Sequence, residues 1–399
     1  PDPEDFAGEP ALVQLTSGST GRPRGVVLAH DRLMHHLASM SQALPSHENS
    51  VAVSWLPLHH DMGLIGGLLF PFFNGFVAHM LSPAEFRARP LSWLEVMAQT
   101  RATICAAPPS AYAMLLRVAP RATGLDLSRW ECAMIGAEPI AASLLRRFAD
   151  AFAAAGFRAN AFFPVYGLAE ATVAVTFPRL LAATRVDRVD RLRLERDGVA
   201  AATEGGPALE LVAVGRPIPG TELRVVDAAG EDLPERRVGE LRVRAPSLMR
   251  GYHGDPAATE AALAGGWLRT GDLGYVADGE LFITGRSKEI IIRGGLNVIP
   301  AVIEAIAGEV EGVRAGGVAA VGVFAAELET ELVYVVAETR VDEASWPALR
   351  LQIDHAMKTG GVAVDRVILV PPGSLPRTTS GKLRRREVAE ALARGAVPG

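Results

Sequence analysis

The chain has 399 residues, 49% of them hydrophobic and 21% charged, with a formal net charge of −5. That balance is globular and excludes an intrinsically disordered chain, and the mild acidity supplies no electrostatic footprint for nucleic acid. The length exceeds one ordinary core and predicts two or three domains, while its two cysteines, Cys105 and Cys132, lack metal-ligand spacing and read as buried thiols of a reducing compartment.

The opening residues, Pro1-Asp2-Pro3-Glu4-Asp5, are acidic and proline-rich where a signal peptide needs a basic start. The apolar run Ala11 to Leu15 predicts a buried strand. It leads into Thr16-Ser17-Gly18-Ser19-Thr20-Gly21-Arg22-Pro23-Arg24-Gly25. Glycines there let the backbone approach a ligand and form a nest of N–H groups for an anion. Ser17, Ser19 and Thr20 add hydroxyl donors, and Arg22 and Arg24 add charge. The Gly-Lys-Ser/Thr ending of a Walker loop is absent.

Up to about residue 177, short apolar runs alternate with helical patterns. Strands are predicted at Val51 to Leu56, Phe76 to Leu81, Ala102 to Ala106, Glu131 to Ile135 and Asn160 to Phe163. Helices are predicted at His30 to Leu44, Leu91 to Thr100, Ser110 to Arg117 and Ala141 to Ala154. Such alternation argues for an α/β fold with a largely parallel sheet. Met62 to Leu81 carries no charged residue and is long enough to span a bilayer. Pro71, Asn74, His79 and several glycines interrupt it, so it reads as a buried helix, Leu64 to Phe73, followed by a core strand. No membrane span is expected.

Residues 178–214 are charge-rich and read as an insertion or surface excursion. Leu223 to Arg244 reads as antiparallel strands. Beyond a boundary near residue 286, strands at Ile290 to Ile292, Ala315 to Phe324 and Glu331 to Thr339, with helices at Pro300 to Ala307 and Ala344 to Met357, form an α+β unit of ordinary domain size.

Six segments carry the chemistry. The glycine/hydroxyl loop is joined by Trp55-Leu56-Pro57-Leu58-His59-His60-Asp61-Met62-Gly63-Leu64, by Gly136-Ala137-Glu138-Pro139 and by Val165-Tyr166-Gly167-Leu168-Ala169-Glu170-Ala171-Thr172. Trp267 to Gly274 follows, running into Gly285-Arg286-Ser287-Lys288, and Pro376-Arg377-Thr378-Thr379-Ser380-Gly381-Lys382-Leu383 comes last. In this order they resemble the adenylate-forming superfamily of acyl-CoA synthetases, peptide-synthetase adenylation domains and luciferases. The His-Asp-Met-Gly-Leu and Tyr-Gly-Leu-Ala-Glu wording is most similar to the fatty acyl-AMP ligase branch, and the resemblance covers essentially the whole chain.

The resemblance implies an α/β fold: layered, mostly parallel sheets with helices plus a small β region in a large N-terminal domain, residues 1–286, then a mobile α+β domain, residues 287–399. It implies ATP and Mg²⁺, a fatty or other carboxylic acid substrate, and acyl transfer to the phosphopantetheine thiol of an acyl carrier protein. Thr16, Ser17, Gly18, Ser19, Thr20, Gly21 and Arg24 would hold phosphates, and Glu170 would bind the metal. Tyr166 would stack on adenine, with Gly167 beside it among the cofactor-binding residues; Gly136, Ala137 and Glu138 would line its site through backbone atoms. Asp272 would accept from both ribose hydroxyls, with Arg286 close by. His60 would stand beside the α-phosphate at the acyl entrance. Lys382 would contact the attacking carboxylate and α-phosphate, and Lys288 would be the hinge, helped by Gly294-Gly295. Arg384, Arg385 and Arg386 read as solvated or carrier-facing surface.

Departures from the family pattern are Arg24 for a lysine, Ala169 for a threonine, though the acyl-AMP ligase branch shares alanine, and Leu296 for an arginine. Members of the superfamily also carry a large N-terminal subdomain before the phosphate loop, and only about fifteen residues precede it here. The resemblance therefore leaves three readings of that difference: removal, supply by a separate polypeptide, or a reduced variant. Transfer to free CoA, amino-acid adenylation with Asp61 on the ammonium, and a non-catalytic nucleotide-binding remnant stay open as alternatives. A cytoplasmic location is expected.

Overall fold

A computed structural model describes residues 8–16, 23–44, 49–203, 205–378 and 381–396. Its centre is a five-stranded, all-parallel sheet in the order Val77–Met80, Val51–Ser54, Ile104–Ala107, Cys132–Ile135, Phe162–Pro164. Every one of these strands answers to a predicted run. Chain order reverses direction across the sheet beside Val51–Ser54, because its successor lies on one side and the strand after that on the other. Ligands of open α/β sheets sit outside the carboxyl ends of the strands at such a switch.

Helices cover the sheet as parallel strands require. Leu91–Gln99, Pro109–Val118 and Ala142–Phe152 pack on one face, where Trp93, Trp130, Tyr112, Phe148 and Phe152 are fully buried. His30–Ala43 and the segment from Met62 pack on the other. That segment is π-helical over Met62–Leu69 before continuing as the α-helix Phe70–Asn74, and the Asp61 side chain accepts from the Met62 N–H at its start.

Two predicted core strands lie at edges. Pro10–Thr16 pairs antiparallel with Arg24–Ala29, which in turn pairs with Gly251–Tyr252. Being terminal in that sheet, it leaves Val13 and Leu15 exposed and buries Gln14 instead. Val77–Met80 ends the parallel sheet, with Val77 and Met80 exposed. Composition cannot distinguish an apolar edge from an apolar core; position in the sheet does.

The 178–214 segment is no surface excursion. Val186–Asp190 pairs antiparallel with Ala208–Val212, the helix Arg191–Asp197 caps the hairpin, and Val189, Leu194 and Ala200 join Tyr275, Phe282 and Ile299 in one core cluster. Its apolar residues are sparse but periodic, so charge count masked a folded unit. The predicted antiparallel region forms a sheet of Glu222–Val226, Gly239–Arg244, Trp267–Ala277 and Glu280–Arg286, with Leu263–Ala264 at its far edge.

Beyond it, Val313–Ala325 pairs antiparallel with Thr330–Thr339, which pairs in parallel with Arg366–Val370. Alternation along the first strand sends Val318 and Ala320 toward Pro300–Gly308 and Trp346–Thr359, and Ala319 and Val321 toward Arg385–Ala393. Gly294 and Gly295, with φ of 55° and 82°, make the two-residue turn between Ile291–Arg293 and Leu296–Val298. Two successive positive φ values are what a tight hairpin of this twist demands, so the pair closes a hairpin.

Candidate functional site

The loops that leave the carboxyl ends of the parallel strands carry seven of the predicted residues. His59 to Asp61 follow Val51–Ser54, Gly136 to Glu138 follow Cys132–Ile135, and Tyr166 to Glu170 follow Phe162–Pro164. Gly136 and Gly167 are there for space: a Cβ on Gly136 would stand 2.8 Å from the Val165 carbonyl oxygen, and one on Gly167 would stand 1.7 Å from that of Val173. Ala137 holds a φ of 67° without being glycine, a strain that surrounding structure must impose. Glu138 turns its carboxylate to the start of Pro109–Val118, accepting from the Ser110 N–H at 3.0 Å and its hydroxyl at 3.1 Å.

Asp272 is 4% exposed, with one partner on each carboxylate oxygen. Tyr166 donates its hydroxyl to Oδ2 at 2.8 Å, and Arg286 Nε donates to Oδ1 at 2.9 Å. Register pairs Asp272 with Arg286 across neighbouring strands, next to a bulge that aims the carboxylate inward. The Tyr166 ring lies within the large core cluster, 8% exposed.

Glu170 accepts from the Tyr252 hydroxyl at 2.8 Å, and the Arg24 guanidinium lies 5.0 Å from the Tyr252 ring centroid. Tyr252 thus joins the predicted metal residue to the phosphate-loop strand, and it had no motif to announce it. Thr16 and Arg24 are paired strand residues flanking that loop, with the Thr16 hydroxyl 3.4 Å from the Arg24 carbonyl oxygen; Ser17, Gly18, Ser19, Thr20 and Gly21 lie outside the described residues. Gln14 ties the same strand to the His60 loop by donating to the His59 carbonyl at 2.6 Å.

His60 is pushed down to a pKa of about 4, by burial first and then by the charges of His59 and Lys382. Its imidazole is therefore neutral near pH 7, and its buried Nε2 has no hydrogen-bond partner among the described residues. Burial raises the Asp61 carboxyl against the pull of the Met62 N–H and Lys382, and the Glu170 charge adds to the rise. Lys382, His60, Asp61 and Glu170 accordingly share one electrostatic neighbourhood although the lysine comes from the far end of the chain.

Lys382 itself is exposed, on a loop closed by paired contacts: Thr378 N–H to the Lys382 carbonyl at 2.9 Å, and Lys382 N–H to the Thr378 hydroxyl at 3.1 Å. Arg377 reaches the Gly381 carbonyl at 2.8 Å and also that of Gly316. Lys288 is exposed in a turn, and the preceding Ser287 donates its N–H and hydroxyl to the Gly271 carbonyl at 3.0 and 3.1 Å. The reading of Arg385 as solvated surface is corrected: its side chain is 16% exposed and paired with Glu289 and Glu304. Arg384 and Arg386 make outward pairs with Glu387 and Glu390.

A second rank of residues escaped sequence reasoning because nothing local marks it. His36 is fully buried in His30–Ala43, where Nε2 accepts from the Ala174 N–H at 3.0 Å and Nδ1 faces the Ser247 hydroxyl at 3.2 Å. Thr172, with a φ of 71°, donates to the Ser247 carbonyl at 2.6 Å. Together they hold the loop that presents Glu170.

Residues 1–253 match the family model of AMP-binding enzymes. A curated protein of Caulobacter vibrioides described as a putative acyl-CoA synthetase is 38% identical, over 98% of this chain and 69% of its own. A medium-chain fatty acid–acyl-carrier-protein ligase of Teredinibacter turnerae is 31% identical, over 99% of this chain and 64% of its own. A solved structure from work on fatty acyl-adenylate ligases of E. coli and L. pneumophila superposes with a TM-score of 0.89 at 37% identity, covering 97% of this chain and 70% of that one. The chain spans about two thirds of the length of such curated relatives.

Proposed function

Since the chain belongs to the family of AMP-binding enzymes, we propose that it activates a fatty or other carboxylic acid with ATP as an acyl-adenylate and passes the acyl group to an acyl carrier protein. What supports this reading is that His60, Asp61, Glu170 and Lys382 feel one another's charge, and that Arg286, the partner of Asp272, feels the charge of Glu170 as well. Relatives named as acyl-carrier-protein ligases support the acceptor. A separate polypeptide completing the fold finds no support among them.

In the first half-reaction a carboxylate oxygen bonds to the α-phosphorus and the bond to the β-phosphate oxygen breaks, its electron pair leaving with pyrophosphate. Charge must be cradled where it develops. Lys382 would bear on the attacking carboxylate and α-phosphate, and neutral His60 would offer its unpartnered Nε2 to an oxygen of the same group. Asp272, held by Tyr166 and Arg286, would receive the ribose hydroxyls while Tyr166 and the Gly136–Glu138 loop flank adenine. Thr16, Arg24 and the residues between them would hold the outer phosphates. In the second half-reaction the carrier thiolate attacks the acyl carbonyl and AMP departs. Lys288 would be the pivot that exchanges the two poses, with the boundary between the two units near residue 286.

No group of three or more metal-ligating His, Cys, Asp or Glu side chains occurs among the described residues. One hard carboxylate, Glu170, beside a phosphate site fits Mg²⁺ carried largely by substrate oxygens and water. When bound there the ion would neutralise phosphate charge.

The test is mass spectrometry of the chain with ATP, Mg²⁺ and a pool of fatty and amino acids, without acceptor, with CoA, and with holo carrier protein. Fatty acyl-adenylate passed to carrier protein and not to CoA supports the reading. Transfer to CoA replaces the acceptor, and an aminoacyl-adenylate replaces the substrate class. Absence of any adenylate overturns the reading.

A further inference from the structure

The helix that follows Lys382 begins with a guanidinium shared between two carboxylates. Arg385 donates Nε and Nη2 to the two oxygens of Glu304, each at 2.7 Å, and Nη1 to Glu289 Oε2 at 2.8 Å. Glu304 belongs to the body of the C-terminal unit: it stands on Pro300–Gly308 and also accepts from the Ala320 N–H at 3.1 Å. Glu289 is different. It lies in the turn after Arg286, where its own N–H and that of Ile290 both donate to the Arg286 carbonyl, at 2.9 and 3.2 Å.

Arg286 is in turn the ion-pair partner of Asp272. An unbroken line of contacts therefore runs from Asp272 through Arg286 and the turn to Glu289, across to Arg385, and three residues back to Lys382. The bidentate contact with Glu304 already satisfies the partly buried guanidinium in the geometry that suits it best. The second carboxylate adds little to neutralisation. What it adds is a link between the turn beside Lys288 and the loop that carries the lysine.

We infer that Glu289 is a positioning residue: through Arg385 it holds the Lys382 loop in place relative to the Asp272–Arg286 side of the site. The inference rests on the proposed role of Lys382 in adenylate formation. Because Arg385 keeps Glu304 when Glu289 is lost, the fold survives while the loop loses its second anchor.

The experiment compares Glu289→Ala and Glu289→Asp in the full chain, alone and combined with Lys382→Ala. Single-turnover acyl-adenylate formation in Glu289→Ala is expected to slow about tenfold with KM for ATP unchanged, an effect of the size that coupled neighbours show. Glu289→Asp should restore part of the rate. In the Lys382→Ala background Glu289→Ala should do nothing further, since a residue acting through the lysine has nothing left to act on. Amide exchange supplies an independent readout: the Lys382 N–H should exchange faster in Glu289→Ala while the denaturation midpoint stays put. Wild-type rates, a fully additive double variant or unaltered exchange would each overturn the inference. If the unsubstituted chain forms no adenylate, the functional reading fails, and exchange at Lys382 still decides the positioning.

Discussion

At the level of single residues, the buried groups set how the molecule answers to pH. The His36 ring accepts at Nε2 from Ala174, so its proton sits on Nδ1 and points to Ser247. Burial pushes its pKa down to about 3, whereas an unfolded chain titrates near 6.5. Between those values the unfolded state takes up a proton that the folded state refuses. Stability is therefore whole above pH 6.5 and lost progressively as pH falls toward 3, by an amount on the order of 5 kcal/mol from this residue. His36→Gln should flatten that slope in denaturant titrations between pH 4 and 7. His60, neutral for a related reason, should leave no inflection near pH 6.5 in the rate of adenylate formation. Lys382→Ala should slow that reaction by roughly a hundredfold or more, the loss typical of removing one preorganised charge-stabilising donor. Because Lys382 is exposed, its thermal unfolding should match the parent chain. Motif wording exposes Lys382 and Asp272; it could not expose His36, Tyr252 or Glu289, whose partners lie far away in sequence.

Among elements, the strand-and-helix alternation that builds the parallel sheet was legible because buried strands and amphipathic helices leave different periodicities. The edge strands were misread, since an apolar run looks the same whichever neighbours it acquires. The 178–214 unit was misread because its core contribution is small and its surface is charged. That unit contains a buried ion pair, Arg191 to Glu195 at 2.7 Å with side chains 4% and 2% exposed. Arg191 also donates to the carbonyl of Gly360 at 3.3 Å and to that of Gly361, so a segment that looked peripheral is tied to the turn that ends Trp346–Thr359. Arg191→Met should destabilise by about 3–5 kcal/mol, because buried Glu195 loses its cation and keeps only the Ile299 N–H. The double change Arg191→Met/Glu195→Leu should recover part of it in a denaturant melt, since the Gly360 and Gly361 carbonyls still lose their donor. In the turn before Glu170, Gly167→Ala meets a backbone oxygen that cannot retreat. About 3 kcal/mol of overpacking strain is expected there, read as a lower denaturation midpoint.

For the molecule as a whole, the proposed pivot at Lys288 is the feature that would decide which half-reaction runs. Lys288→Pro removes the rotation about φ at the proposed hinge. Adenylate formation should persist in that variant while transfer to the carrier thiol drops by about tenfold or more, measured from preformed acyl-adenylate. The terminal strand of the parallel sheet has a consequence of another kind. Val77 and Met80 are 57% and 42% exposed on it, and Phe72 just before it is 84% exposed. Unpaired amides beside bare hydrocarbon make a surface that another strand can extend. As a colloid, then, this chain is poised between solution and self-adhesion: dilute samples should scatter light as single particles, and concentrated ones should gather edge to edge, more so in salt that screens the net charge of −5, until a charged residue at position 77 intervenes.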